Sequence, residues 1–176
     1  EIKDRLGANP VPHQIPIGAE DDFKGVVDLI SKRVIIWNED DMGMTYETID
    51  IPAEIEADVN EWREKLVEAV AESDEELMEK FFEDPDSITV DEMNQSIRKA
   101  TIDMTITPMM CGSAFKNKGV QTLLDAVVKF LPSPLDIDAI HGTNPNNGEE
   151  VLREPSKDAT TSALAFIIAT DPFVGR

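Results

Sequence analysis

The chain is short of cysteine, of positive charge, of aromatic rings and of long apolar runs. A single cysteine among 176 residues excludes an internal disulfide. It suits a reducing compartment and predicts a cytoplasmic setting. Lys and Arg number 16 against 36 Asp and Glu, a net charge of -20. Such a chain repels phosphate backbones, which argues against direct nucleic-acid binding and in favour of basic protein partners. Aromatic residues make up 6% and hydrophobic residues 41%, so aliphatic side chains must fill most of a well-supplied core. No apolar stretch reaches the roughly 18 residues of a membrane span, so no membrane association is predicted. The opening EIKDRLGANP lacks an initiator Met and a signal-peptide pattern. It reads as the last turn of a helix stopped by Gly7. The closing ATDPFVGR follows a strand-like run closely, and both ends are expected to be cuts in a longer protein. No internal repeat is present.

Residues 10–17, PVPHQIPI, read as extended. Residues 26–37, VVDLISKRVIIW, read as one or two strands. A turn at 38–43 and a returning strand at 44–49 complete a hairpin. Pro52 then opens a helix at its first turn. Ile55, Val59, Trp62, Leu66, Ala69 and Val70 recur at helical spacing and form one apolar stripe. The helix is expected to break near Ser73, where Ser73 and Glu76 fit a capping box. Asp84-Pro85 ends the next helix, and Thr89 with Glu92 caps a third leading into Met93, Ile97 and Ala100. A short strand from Met104 to Met110 follows, irregular at Pro108. Val120, Leu123, Leu124, Val127, Val128 and Leu131 mark an amphipathic helix stopped by Pro132. Residues 132–160 read as a linker, and 161–170, TSALAFIIAT, as the first strand of another domain.

The chemistry-bearing stretch is CGSAFKNKGV, residues 111–120. A nucleophilic Cys111 needs a cationic neighbour to lower its pKa. The two histidines, His13 and His141, lie in Pro- or Gly-rich stretches that nothing pairs with it. A structural role at a strand end is the better reading of the thiol. A P-loop needs G-x-x-x-x-G-K-[ST], but no glycine in the chain is followed by Lys. The guanine-reading motif N-K-x-D fails as well, because the position after Asn117-Lys118-Gly119 is Val120. What remains is a tight strand–loop–helix whose small residues expose backbone N–H groups. Such a donor meets guanine O6, whereas adenine presents an amino donor at that edge. On spacing alone, an ordinary strand-to-helix turn is the better account of the stretch. An EF-hand reading of Asn38, Asp40 and Gly43 fails at Met42 and Ile49, where calcium needs oxygen ligands. Two distant histidines and one cysteine give no zinc pattern. The D-x-x-G matches at Asp22–Gly25 and Asp40–Gly43 are too short to mark a magnesium switch.

CGSAFKNKGVQTLLDAVVKFLPSP resembles the end of the GTPase domain of the translation elongation factor G family, including its Ser-Ala guanine-contact loop. RLGANPVPHQIPIGAEDDFKGVVDLI, DIPAEIEADVNEW, DEELMEKF and SALAFIIATDPFVG resemble the same family in the same order. The resemblance implies an α/β fold: an incomplete P-loop (Ras-like) GTPase domain piece carrying an inserted α+β subdomain with a small sheet and two to three helices. Residues 1–7 would end a GTPase-domain helix, and 8–104 would form the inserted subdomain. Residues 105–131 would supply the last strand, guanine loop and last helix, 132–160 a linker, and 161–176 the start of a β-barrel second domain. Ser113 and Ala114 would contact guanine, with Phe115 flanking the base or packing beneath it. The intact protein would be a GTP hydrolase, using GTP/GDP with Mg, that drives tRNA and mRNA translocation on the ribosome. tRNA and mRNA would be met only by domains outside this chain. The rivals are a paralogous factor for ribosome recycling or ribosomal protection, and a free-standing acidic interaction module.

Glu61, Glu64, Glu68 and Glu72 follow one another by three, four and four residues. On a helical wheel they lie about 140–150° from the apolar stripe, and Glu75 extends the row if the helix runs through Ser73. Arg63 and Lys65 would relieve their repulsion from the flanks. A solvated face explains such a row as well as a docking face for a basic partner does. In the resembling family, the matching helix, through Glu68, Glu72 and Glu75, is implicated in contacting the C-terminal domain of the ribosomal stalk protein.

Neither catalytic nor metal-binding residues are expected in this chain, because the phosphate and magnesium parts of a GTPase site are lacking and phosphoryl transfer needs them together. The isolated chain is therefore expected to neither hydrolyse GTP nor bind a fluorescent GTP analogue at micromolar concentration. Clear saturable binding there would overturn this.

Overall fold

The structure, a computed structural model, describes residues 2–163, without the side chain of Asp86. The chain forms two compact units, Glu1–Leu131 and Pro132–Arg176. In chain order the first holds α1 (Ile2–Leu6), β1 (Pro10–Pro12), β2 (Gln14–Ile17), β3 (Gly25–Asp28), β4 (Arg33–Trp37) and β5 (Tyr46–Ile49). Then come α2 (Glu56–Ala71), α3 (Glu75–Glu83), α4 (Val90–Ile102), β6 (Thr107–Met109) and α5 (Val120–Phe130). It is a mixed α/β arrangement with small sheets and several helices.

The Val- and Ile-rich run at 26–37 is two strands, β3 and β4, at the centre of an antiparallel sheet of order β2-β3-β4-β5. Its near-continuous apolarity has a physical reason: both faces are covered. Val27, Leu29 and Val34 point into the main core with Val59, Leu66, Val70, Met93 and Ile97 from α2 and α4. Val26, Ile35 and Trp37 point the other way, into a second cluster with Phe23 and, at its edge, Cys111. Full burial of an aliphatic side chain such as Leu66, 1% exposed, contributes about 1.5–3 kcal/mol.

Helix ends follow local chemistry, with some shifts from expectation. Gly7 stops α1 with φ of 63° while its N–H reaches the Lys3 carbonyl. α2 starts at Glu56, after a turn at Pro52 rather than on it. Its buried face is Val59, Leu66, Val67, Val70 and Ala71, so the predicted stripe is rotated and Trp62 stands exposed. The cap of α3 is Asp74, not Ser73: the Asp74 carboxylate accepts from Leu77 N–H and from the Ser96 hydroxyl. That second bond anchors Asp74 and holds its carboxyl below its ordinary range. The Ser73 hydroxyl donates instead to the Val70 carbonyl. The Thr89–Glu92 capping box is present.

β6 is shorter than predicted and pairs in parallel with β1, Val11 opposite Pro108. Among the described residues β1 is its one strand partner. α5 buries Ala126 and Phe130 but exposes Leu123, Leu124, Val127 and Val128. In the second unit, residues predicted as a linker include a hairpin of β7 (Ile140–Thr143) and β8 (Glu150–Arg153). Asn144–Gly148 closes it, with Gly148 at φ of 73°. The strand predicted at 161–170 lies outside the described residues from 164 onward. No helix among the described residues is long and apolar enough to cross a membrane.

His13 sits between β1 and β2, only 2% exposed, with its ring edge-on to Phe130 at 5.3 Å. Neither ring nitrogen has a hydrogen-bond partner among the described residues. Burial lowers its pKa from 6.5 to about 4. The unfolded chain therefore takes up a proton below pH 6.5 that the folded chain refuses until about 4. Stability is expected to fall as pH drops through that window, by up to about 1.4 kcal/mol per pH unit. In urea titrations of the chain, His13→Leu should flatten this limb and leave stability at pH 7 equal or higher, because it removes two unpaired buried atoms. An unchanged slope in the variant would refute the assignment.

Candidate functional site

Residues 111–120 form a closed loop between β6 and α5. Ser113 N–H donates to the Lys118 carbonyl at 2.8 Å, and Lys118 N–H returns to the Ser113 carbonyl at 3.0 Å. Between them Ala114–Lys116 makes one 3-10 turn, and Asn117 takes a left-handed φ of 53°. Gly112 and Gly119 lie back to back at the loop's neck. A Cβ on Gly119 would stand 2.7 Å from the Cys111 carbonyl, and one on Gly112 2.7 Å from the Lys118 carbonyl. Both positions therefore demand glycine.

The internal bonds consume the N–H groups of Ser113, Lys116, Asn117 and Lys118. Those of Ala114 and Phe115, the first two of the 3-10 turn, donate to no described residue. Such leading N–H groups point away from their helix and are open to an acceptor. Ala114 is exposed, and Phe115 is 102% exposed, so its ring is bare to solvent among the described residues. The three residues singled out from sequence, Ser113, Ala114 and Phe115, thus sit together at the outer rim of a rigid loop. Cys111 is half-buried and its thiol donates to the Gln14 carbonyl at 3.3 Å. Burial raises its pKa, the reverse of what a nucleophile needs.

The loop is clamped from below by residues that sequence reasoning missed. The Lys118 side chain is 3% exposed and its ammonium donates to the Phe23 carbonyl at 2.9 Å and to Glu39 at 2.7 Å. Glu39 itself is 73% exposed, so the pair is buried at one end only. The Lys118 bond and charge hold the Glu39 carboxyl below its ordinary range. Asn117 Nδ2 and Gln121 Nε2 both donate to the Gly43 carbonyl, at 3.3 and 2.9 Å. Trp37 Nε1 donates to Gln121 Oε1 at 3.1 Å. These pairings span some 74 to 95 residues of sequence, which no local periodicity can reveal.

The acidic row lies on the opposite side of the sheet. Glu61, Glu64 and Glu68 are exposed on α2, away from its buried face, and exposed Glu72 caps the helix's C-terminal end. α2 ends at Ala71, so Glu75 does not extend that helix; it opens α3 beyond the break. Lys65 pairs with Glu61 and lies over the Trp62 ring at 4.7 Å. Arg63, expected on the flank, turns inward and donates to the carbonyls of Leu29 and Ile30. It serves the turn between β3 and β4 as well as α2. Among the described residues no group of three or more His, Cys, Asp or Glu is placed to hold a metal ion.

No family model matches the chain. A crystal structure of a protein from Thermus thermophilus shares its fold, with a TM-score of 0.63 over 86% of this chain and 23% of that one at 21% identity. A relative from Amoebophilus asiaticus (strain 5a2), named Elongation factor G, is 59% identical over 176 residues, all of this chain and 25% of the relative. One from Cytophaga hutchinsonii with the same name is 58% identical over the same span and share. The chain spans about a quarter of the length of these curated relatives, and along all of its residues it matches a segment of elongation factor G.

Proposed function

We propose that the chain is a segment of a translational GTPase of the elongation factor G type. It supplies one wall of the guanine pocket and an acidic surface for docking the ribosome. The observation that carries this reading is identity of 58–59% across every residue to proteins of that name. In the protein that contains it, GTP or GDP with magnesium binds, GTP is hydrolysed, and tRNA and mRNA move on the ribosome in the cytoplasm. The fold is then a piece of a Ras-like domain, residues 105–131, with 8–104 as its insertion and a second domain beginning near 161.

The residues present fit a guanine. Ala114 and Phe115 offer outward N–H groups with no partner among the described residues, and guanine O6 is an acceptor. Ser113 adds a hydroxyl at the same rim, and exposed Phe115 offers an aromatic face to flank the base. On this reading the segment selects the base, and the groups that hold the phosphates and magnesium belong to the rest of the protein. A carboxylate beside O6 would repel guanine. In a full-length elongation factor G carrying this segment, Ala114→Glu is expected to weaken GDP binding by about ten- to a hundredfold, the loss for one opposed polar contact. Exposure of Ala114 should leave thermal stability unchanged. Parental affinity in that variant would refute the guanine contact.

The exposed row on α2 fits a basic docking partner, and the C-terminal domain of the ribosomal stalk protein is the partner this reading names. Glu61, Glu64 and Glu68 share one face of α2, Glu72 caps its end, and Glu75 begins the next helix. Reversing Glu68 and Glu72 to Lys in the full-length factor should slow ribosome-dependent GTP turnover several-fold at low salt. The gap should narrow as salt screens the attraction. Identical turnover by parent and double variant would sink the docking role.

A further inference from the structure

The loop that offers Ala114 and Phe115 is not held by its own chain neighbours alone. Residues 38–45, between β4 and β5, lie directly beneath it. Gly43 has φ of 72°, and its missing Cβ would stand 2.8 Å from the Asn117 carbonyl and 2.9 Å from that of Lys116. That closeness lets the Gly43 carbonyl accept from both Asn117 and Gln121. On the same side Glu39 and the Phe23 carbonyl hold the Lys118 ammonium. Lys116 Nζ reaches toward Asp21, 3.4 Å from its carbonyl. Every one of these partners comes from residues 21–43, far from the loop in sequence.

Burying an ammonium costs several kcal/mol unless it is paired and hydrogen-bonded. A loop that only had to turn from strand to helix would not need one. The cost is offset at one geometry, with Lys118 seated on Phe23 and Glu39. From the geometry we infer that the β4–β5 connection, through Gly43 and the Lys118–Glu39 pair, positions the base-selecting rim and sets how long a guanine nucleotide stays bound. Gly43, Glu39 and Lys118 are positioning residues: none reaches the rim itself. The inference rests on the guanine-loop reading and adds a second set of residues to it.

The test uses a full-length elongation factor G carrying this segment, with release of fluorescent GDP followed in the absence of ribosomes. Gly43→Ala places a methyl against the loop backbone, and Lys118→Met removes the buried charge at similar volume. Each should raise the GDP dissociation rate by about tenfold, equivalent to ~1.4 kcal/mol of binding. Ribosome-dependent kcat at saturating GTP should stay near the parental value, because the phosphate chemistry lies elsewhere. Asp40→Ala, exposed on the same connection, should match the parent in both. A dissociation rate reports only on folded, loaded molecules, so simple loss of stability would not move it. Parental dissociation rates in both variants, with fast release from Ala114→Glu, would overturn the positioning role and leave the guanine loop standing. Parental rates in all three would overturn both. An equal fall in kcat would also overturn it, since a base-positioning role does not act on the chemical step.

Discussion

A sheet whose central strands carry apolar side chains on both faces must be covered twice, and most of the first unit follows from that. β3 and β4 cannot alternate polar with apolar, because Val27 and Val34 face one way while Val26, Ile35 and Trp37 face the other. Four helices, α2 to α5, contribute buried side chains to the core on the first face. On the second, Cys111 packs against the smaller cluster, while Gln121 bonds Trp37 and Lys118 reaches the Phe23 carbonyl. The candidate site is therefore not an appendage on a finished fold. It covers part of the sheet, and its shape is fixed by what lies under it.

That dependence explains the glycines and the buried lysine together. Gly112, Gly119 and Gly43 each sit where a Cβ would come within 3 Å of backbone, so three chain segments are brought to main-chain contact. Main-chain contact leaves no room for side-chain packing, and hydrogen bonds must supply the cohesion instead. They do so through the Gly43 carbonyl, which accepts twice, and through the Lys118 ammonium. The N–H groups of Ala114 and Phe115, at the exposed end of the loop, are among those that no described residue takes up.

Much of this was legible in the sequence where the signal was local. The capping box at Thr89 and Glu92, the Gly7 stop and the turn at 38–43 are all set by neighbours a few residues apart. The misses have a common physical cause, a distant partner that overrides a local preference. Ser73 and Asp74 are equally good caps by type. Ser96, 22 residues away, decides for Asp74. Arg63 reads as one more surface charge, yet its guanidinium is claimed by carbonyls of residues 29 and 30. Trp62 fits the apolar stripe by spacing, but the stripe is centred on Leu66, Val67 and Val70, which leaves Trp62 at its edge with Lys65 stacked on it. Lys118 gave no signal at all, because lysine in a loop beside another lysine is ordinarily solvated.

The acidic row and the 113–115 rim lie on opposite sides of the same four strands, and the strands themselves decide what can pass between them. β4 contributes Val34 to the face under α2 and Ile35 and Trp37 to the face under the loop. Contact of this kind is continuous from one site to the other, but contiguity is not coupling, which requires an element with two arrangements of similar free energy. β4 has no such freedom. It is bonded on both edges, to β3 and to β5, and a slip of one residue would exchange its two apolar faces and expose neither less nor more while breaking every specific contact on each. The sheet thus acts as a spacer between the acidic surface of α2 and the loop of residues 111–120. Any signal from a partner docked on α2 must then travel by displacement of the whole first unit, not by rearrangement inside it.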